Sequence, residues 1–296
     1  MPILNNIIRH CQRKFKSLSG IPLQYTAESV VKKQWAMRDN IRRDKHPLGG
    51  ELMVNLTSYP PRFPTLHLTL QSLLLQDTQA DKLILWLYKA DYDQLPPEVL
   101  GLVQHGLSIE LVEQDIKSYK KLIPALQRYP RAYHVTADDD IYYRPDWLAE
   151  LLAGYRGNER EVVCLRAHYI TLDDSGNIQP YRYWQAKTEQ RGPDNRLFFT
   201  SGAGALFPPG ALHPDVTLNK KFLQYSPHGD DIWLYWMATL NKCIIHRTGH
   251  NKKLIVWKQS KNITLWQLNK QPDSGNDFQI NNMLKAYGQP EIKQTN

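Results

Sequence analysis

The stretch "AYHVTADDD", residues 132–140, places three consecutive carboxylates directly after a short apolar run. The run predicts a buried strand, but Asp is a poor strand former and neighbouring like charges repel one another. Mg²⁺ and Mn²⁺ need oxygen ligands, and a bound cation would offset that repulsion. An exposed acidic turn is the simpler interpretation of the same residues. The sequence around this stretch decides between the two.

Strand-like and helix-like segments alternate on both sides of these aspartates. The strands are predicted in "ELMVNLTSY" (51–59), "DKLILWLY" (81–88) and "LSIELVE" (107–113), with helices in 65–76 and 144–155. This rhythm is typical of an α/β fold with a mostly parallel sheet flanked by helices. Ligands of open α/β sheets bind at the carboxyl ends of the strands. The three aspartates fall at such an end, which favours a metal site.

A second acidic pair, Asp230 and Asp231, occurs in "HGDDIW" at the start of a predicted helix. Acidic residues in a first helical turn are stabilised by the helix dipole, so a simple cap explains them. The functional alternative is a general base that removes a proton from a hydroxyl group. The residues alone do not distinguish Asp230 from Asp231 in that role.

Two further motifs are less specific. "SGAGALF", residues 201–207, has glycines that permit close backbone approach to a ligand, but it equally fits a plain turn. His246 and His250 follow the last predicted strand, and either could supply one metal ligand or serve a structural role. Lys120 and Lys121, at the start of a predicted helix, oppose the helix dipole unless one of them faces a phosphate, while solvation is the simpler explanation for the other.

The formal charge of +8 is concentrated in residues 1–50, which contain ten Lys and Arg residues against three Asp and Glu residues. The remaining chain is nearly neutral, which argues against a nucleic-acid partner. The basic segment fits either a helix on an anionic membrane surface or a helix packed on the body. Three scattered cysteines and the lack of a long apolar run predict a soluble cytoplasmic protein. Any peripheral contact with the inner face of the cell membrane would be made by residues 1–45.

The chain resembles GT-A-fold bacterial glycosyltransferases, of the family-2-like type that builds capsule and lipopolysaccharide. The resemblance rests on five stretches in their order along the chain: "NLTSYPPRF", "SYKKLIPAL", "ADDD", "SGAGALF" and "GDDIW". The similarity spans about residues 51–250 and implies a GT-A-like, Rossmann-type α/β fold. Residues 1–50 would be a basic N-terminal helical extension. Residues 51–160 would be the nucleotide-sugar-binding half of the domain and 161–296 its acceptor-binding half. Asp230 stands where such enzymes usually have Glu.

The resemblance implies transfer from a nucleotide-sugar, most often a UDP-sugar, to a saccharide or lipid-linked acceptor with Mn²⁺ or Mg²⁺. Asp138 and Asp140 would hold the metal, with His246 or His250 as a further ligand. Asp231 or Asp230 would be the catalytic base. Ser201, Gly202 and Trp184 would lie on the acceptor side. The donor-binding residues would be Thr57, Ser58, Tyr59, Arg62, Asp115, Lys120, Asp138 and Asp139.

Two other classes of function remain open at this stage. A nucleotidyl- or phosphotransferase also uses paired aspartates and Mg²⁺. Such an enzyme typically has a glycine-rich phosphate loop after its first strand, where this chain has "TSYPPRF". The other class is a non-enzymatic basic module that binds membranes or nucleic acid through its N-terminal segment.

Overall fold

The computed structural model describes residues 23–40, 43–250, 252–262 and 275–292. Among these residues, seven strands form a central sheet. They are β2 (Leu52–Thr57), β4 (Lys82–Tyr88), β5 (Leu107–Val112), β6 (Tyr133–Thr136), β7 (Glu161–Cys164), β10 (Ala205–Phe207) and β11 (Ile244–Arg247). Their order across the sheet is β11-β7-β10-β6-β2-β4-β5.

Four of the six neighbouring strand pairs in this sheet are parallel. The exception is β10, which runs antiparallel to both β6 and β7. Two short pairs lie outside the sheet: β1 (Asp44–Lys45) with β3 (Thr78–Gln79), and β8 (Ala167–Tyr169) with β9 (Leu197–Phe199). The predicted α/β fold with a mostly parallel sheet is therefore confirmed.

Helices cover the sheet. In the described residues they are α1 (Leu23–Ala36), α2 (Phe63–Leu74), α3 (Pro97–Leu100), α4 (Ile123–Arg128), α5 (Trp147–Leu152), α6 (Asn219–Tyr225), α7 (Asp230–Leu240) and α8 (Asn276–Tyr287). The helix predicted to start near Lys120 begins later, at Ile123, because Pro124 fits only the first helical turn. A 3₁₀ segment, Lys117–Lys121, precedes it.

The glycine-punctuated stretch after residue 200 contributes a sheet strand that its composition does not suggest. Alternate residues of β10 enter opposite apolar layers: Leu206 packs in one layer, and Ala205 and Phe207 pack in the other. Since both faces of β10 are buried, its position in the middle of the sheet follows from packing. The glycines before it serve the turn that brings the chain into this strand.

The helix α1 packs on the body of the protein. Its Ala27 and Val31 are buried against Leu68 of α2 and against Tyr142 and Trp257. This contact places residues 23–36 on the body but does not test the two interpretations of the amphipathic helix predicted nearer the N-terminus. The more N-terminal part of the predicted basic extension, residues 1–22, lies outside the described residues, and the proposed domain boundaries stay a prediction. None of the helices in the described part of the chain combines the length and apolar character that a membrane crossing requires.

Candidate active site

A cavity of about 430 Å³ opens at the carboxyl ends of β2, β5 and β6 and at the first turn of α7. Most of the predicted site residues line it, although they are separated by up to 174 positions in sequence. Those found in its wall are Thr57, Ser58, Tyr59, Arg62, Asp115, Lys120, Asp138, Asp139, Asp140, Asp230 and Asp231.

The turn that carries the three aspartates is held by neighbours that satisfy its backbone. The Asp138 N–H donates to the hydroxyl of Tyr143 at 2.7 Å. Thr69 Oγ1 donates to the Asp139 carbonyl at 2.9 Å, and the Trp257 N–H donates to the Asp140 carbonyl at 3.0 Å. The three side chains therefore project from a fixed turn, as a binding site requires.

Each of the three carboxylates has its own polar partner. Arg62 Nη1 lies 2.5 Å from Asp140 Oδ2, and Lys121 Nζ lies 3.0 Å from Asp138 Oδ1. Asp139 Oδ2 accepts a hydrogen bond from Ser58 Oγ at 2.6 Å. The repulsion evident in the sequence is thus offset by two cations and a hydroxyl group.

This compensation is incomplete. Burial and the neighbouring Asp140 raise the pKa of Asp139 to about 7. Burial and Asp138 also raise the pKa of Asp140, in spite of the Arg62 guanidinium. A raised carboxyl pKa means that the site still disfavours negative charge, so further positive charge would be stabilised there.

The same residues fit a Mg²⁺ or Mn²⁺ ion. Within the described residues, no three His, Cys, Asp or Glu side chains form a cluster that could enclose a metal. However, Mg²⁺ commonly takes one or two protein carboxylates and completes its shell with water and substrate phosphates. Asp138 and Asp140, on one turn and facing one cavity, match that donor set.

The first turn of α7 forms the opposite side of the cavity. Gly229 is its N-cap, and the Lys121 ammonium lies 2.8 Å from Asp230 Oδ2. The carboxylates around Lys121 hold its pKa well above the usual range although burial opposes this. A single buried ammonium thus joins Asp230 to Asp138.

Asp231 is held differently. Its Oδ1 accepts the backbone N–H of Ser201 at 2.9 Å. Burial and the adjacent Asp230 raise the pKa of Asp231 to about 6, whereas Lys121 acts in the opposite direction. A carboxylate that titrates near neutral pH, in a cavity wall, is suited to accept a proton during a reaction.

The glycine loop supports both acidic groups from behind. A side chain at Gly202 would place its Cβ 1.8 Å from Asp138 Oδ2, so only glycine fits. The Tyr143 hydroxyl donates to the Gly202 carbonyl at 2.6 Å. Ser201 and Gly202 are buried and lie outside the cavity wall. In the described structure they position Asp231 and Asp138.

Lys120 and Asp115 form an ion pair with each other. Asp115 also accepts the Lys117 N–H at 3.0 Å. Burial alone would raise the pKa of Asp115. The hydrogen bonds from Lys120 and Lys117 together outweigh burial, so the pKa of Asp115 lies below its usual value. The pair thus leaves a charged carboxylate and a charged ammonium in the cavity wall.

Three predicted residues lie away from the cavity. Trp184 is buried, and its Nε1 donates to the Gln179 carbonyl at 2.8 Å. His246 Nδ1 lies 2.7 Å from Arg156 Nη2, and the His250 N–H donates to Glu150 at 3.0 Å. No described contact brings these residues to the aspartates, and their predicted roles stay untested.

Several cavity residues are missing from the sequence-based prediction. Lys121 is the most important; the sequence marks it only as one of two adjacent lysines, either of which could face a phosphate. The others come from the 3₁₀ segment Lys117–Lys121, from β9, from α8 and from the "HGDDIW" motif, whose His228, Gly229 and Ile232 received no functional role. They are Lys117, Ser118, Phe198, His228, Gly229, Ile232 and Asn276, and Tyr181 also lines the wall.

No protein-family model matches the sequence, and a search of curated proteins finds no match. Solved structures with a similar arrangement exist at low identity. One is a 4-diphosphocytidyl-2C-methyl-D-erythritolsynthase from Anaerococcus prevotii, at 14% identity and a TM-score of 0.43, which covers 75% of this chain and 97% of that chain.

Another is S. aureus TarS 1-349, which has also been solved in complex with UDP. The UDP complex matches this chain with 12% identity and a TM-score of 0.44, and the match covers 69% of this chain and 58% of that chain. A third is a glucosyl-3-phosphoglycerate synthase from Mycobacterium tuberculosis in complex with Mn²⁺, UDP and phosphoglyceric acid. It has 15% identity, a TM-score of 0.31, and covers 42% of this chain and 50% of that chain. The structures thus include nucleotidyltransferase and glycosyltransferase types, and TM-scores in this range leave the function to be argued from the site.

Proposed function

We propose that the protein is a metal-dependent glycosyltransferase that moves a sugar from a nucleotide-sugar, a UDP-sugar in the first instance, to a saccharide or lipid-linked acceptor in bacterial surface polysaccharide synthesis. One observation carries the proposal. A single cavity joins the aspartates at the end of β6 to Asp231, a carboxylate with a pKa of about 6. The first group suits a metal diphosphate and the second suits an acceptor hydroxyl.

The donor would occupy the side of the cavity formed by the strand ends. Thr57, Ser58 and Tyr59 would line the nucleotide pocket together with Asp115. Asp138 and Asp140 would hold Mn²⁺ or Mg²⁺, which supplies charge neutralisation to the departing diphosphate. Arg62 and Lys120 would approach the phosphates from either side, and Asp139 would remain bound to Ser58.

The two acidic residues of α7 would have different roles. Asp230 is engaged by the Lys121 ammonium, which would hold the side chain in place. Asp231 has no cation of its own among the described ion pairs, and one oxygen is oriented by the Ser201 N–H. Asp231 would therefore remove the acceptor proton, which implies inversion at the anomeric carbon.

A nucleotidyltransferase is the main competing enzyme class, and the products of the reaction separate the two. The experiment incubates the full-length protein and Mn²⁺ with a panel of UDP-, GDP- and CDP-sugars, and separately with nucleoside triphosphates and sugar 1-phosphates. We expect release of nucleoside diphosphate from one of the nucleotide-sugars, abolished by EDTA and restored by Mn²⁺. Pyrophosphate release from a triphosphate, with no nucleotide-sugar consumed, would contradict the proposal.

Peripheral membrane contact is a separate part of the proposal, supported by charge. Residues 1–22 include Arg9, Arg13, Lys14 and Lys16 and no acidic residue. A variant that lacks residues 1–22 should cosediment less with vesicles rich in phosphatidylglycerol while it retains UDP binding. Equal cosedimentation of both proteins would exclude a membrane role for this segment.

A further inference from the structure

Arg166 is a cation near the cavity that the proposed reaction leaves unused. It lies between β7 and β8, with a half-buried side chain. Its Nη1 donates to Thr200 Oγ1 at 3.1 Å. Among the residues that the structure describes, no ion pair includes Arg166, in contrast to Arg62, Lys120 and Lys121. A half-buried guanidinium with no direct ion partner still has donors available for an anion.

On one side of Arg166, His168 and Lys187 add a donor and positive charge. Buried His168 accepts the Lys187 N–H on Nδ1 at 3.0 Å, which leaves Nε2 as the protonated nitrogen of a neutral ring. Burial, then Arg166 and Lys187, lower the pKa of His168 to about 4. Burial also lowers the pKa of Arg166, an effect that Tyr181 and Asp231 only partly offset.

Three acidic side chains of neighbouring segments already have partners of their own. The contacts are Glu189 with Arg247 at 3.2 Å, Asp194 with the Tyr169 hydroxyl at 2.7 Å, and Asp277 with the Tyr181 N–H at 2.6 Å. Asp231 and Asp138 act on the guanidinium electrostatically, but neither forms an ion pair with it in the part of the chain that the structure describes.

The location of Arg166 links it to the proposed base. Thr200, its hydrogen-bond partner, directly precedes Ser201, whose N–H holds Asp231. His168 contacts the ring of Tyr181, with centroids 5.7 Å apart, and Tyr181 lines the cavity. The guanidinium is not part of the cavity wall, but it lies close to the side on which the acceptor would meet Asp231, since Asp231 and Tyr181 both act on it electrostatically.

We propose that Arg166 binds an anionic group, a phosphate or a carboxylate, on the substrate that lies beside Asp231. The planar guanidinium fork matches both oxyanions in a bidentate geometry, and His168 supplies an adjacent donor. The inference rests on the proposed function and narrows it, because the acceptor would be an acidic saccharide or a phosphorylated carrier. A uronic acid as the sugar of the nucleotide-sugar would also place a carboxylate at this position, in that case from the donor rather than the acceptor.

Calorimetry on the full-length protein tests the anion site directly. The protein is first saturated with UDP and Mn²⁺, so that the diphosphate position is filled, and is then titrated with inorganic phosphate and with glucuronic acid. We expect Arg166→Gln to weaken binding of at least one of these anions about tenfold or more, with UDP affinity unchanged. The anion affinity of Arg166→Lys should lie between those of the wild type and Arg166→Gln. Arg182→Gln, which removes an exposed cation from the neighbouring segment, serves as the charge-matched control.

Absence of anion binding to the UDP-saturated wild type, or equal affinity in Arg166→Gln, would overturn the anion site. Failure of UDP itself to bind would instead refute the proposed donor site, and Arg166-dependent phosphate binding could still be measured. Hydrolysis of UDP-glucose and UDP-glucuronate then identifies the source of the anion. A loss restricted to UDP-glucuronate assigns it to the donor, unchanged hydrolysis of both assigns it to the acceptor, and an equal loss of both would show a merely structural residue.

Discussion

The two sides of the cavity handle negative charge in different ways. We refer to residues 57–62 and 138–140 as the strand-end wall and to residues 229–232 as the helix-end wall. In the strand-end wall each carboxylate has a separate side-chain partner, such as Arg62 for Asp140. In the helix-end wall one partner, Lys121, serves Asp230 and leaves Asp231 with a backbone N–H. This difference supports the proposal that the first wall would bind a charged group and the second would exchange a proton.

The largest expected effect comes from Asp231→Asn, which removes the proton acceptor from the helix-end wall and retains its shape. Turnover of the nucleotide-sugar should fall about 10²- to 10⁴-fold. Affinity for UDP with Mn²⁺ should change less than about twofold, because the strand-end wall is intact. Steady-state rates and calorimetry measure the two quantities. Asp174→Asn, an exposed carboxylate, is the control; full turnover by Asp231→Asn would move the base to Asp230.

The second prediction breaks the strand-end wall instead. Gly202→Ala forces Asp138 out of its position, because the new Cβ would lie 1.8 Å from Oδ2. Mn²⁺-dependent UDP affinity should fall about 10- to 100-fold, as for other losses of support behind a metal ligand. Gly49→Ala meets no atom within 4 Å and should bind UDP like the wild type. If the Gly202 variant keeps full affinity, Asp138 is not required for the metal.

The third prediction concerns the residue that joins the walls. Transfer should rise with pH through about 6, because Asp231 accepts a proton only in its charged form and burial raises its pKa to about 6. Lys121→Met removes a positive charge that lowers this pKa, so the midpoint should move to higher pH. A midpoint that moves up by about one pH unit would lower the activity at pH 6, relative to that at pH 8, roughly fivefold. A pH–rate profile measures it.

Lys220→Met removes an exposed cation and should leave the profile unchanged, whereas Lys121→Arg should restore much of the original midpoint. An unchanged midpoint in Lys121→Met would show that the Lys121 ammonium does not influence the pKa of Asp231.

The smallest effect is expected from Ser58→Ala, which removes the hydroxyl that donates to Asp139. Asp139 binds a proton more tightly in the folded state, since burial raises its pKa to about 7. The unfolding free energy should therefore fall as pH rises from about 4 to about 7. In the variant the fall should extend to higher pH, and Tm near pH 7 should drop by about 2–4 °C. Thermal melts across this range test it; parallel curves for the two proteins would contradict it.

The strand-end wall was readable from the sequence, whereas the helix-end wall was readable only in part. Short apolar strands followed by polar residues are local signals, so Thr57, Arg62 and Asp138 could be placed at one sheet edge before the structure was known. Asp231 was recognisable only as one of an acidic pair at a helix start. Its partner Ser201 lies 30 residues earlier, and such a contact leaves no periodicity in either segment.

The same reason explains the unforeseen residues. Lys121 could be seen as one of two adjacent lysines, but nothing local shows that it spans Asp138 and Asp230. Arg166 directly precedes β8 and His168 lies in it, and the conformation of this short strand depends on its pairing with β9, about 30 positions later. Long-range contacts, rather than propensities, determine these positions.

The antiparallel strand β10 has a consequence for how the protein acquires its site. Its register pairs Ala205 with Thr136 of β6 and with Cys164 of β7. The strand β10 therefore lies between two strands that both precede it in the chain. Closing such distant pairs is slow, since the entropy of the intervening loops is lost before the contacts form. Because β10 carries the glycine loop that abuts Asp138, the acidic turn obtains its final surroundings only when this insertion is complete. Affinity for UDP with Mn²⁺ during refolding would therefore report the arrival of β10 rather than the initial collapse of the chain.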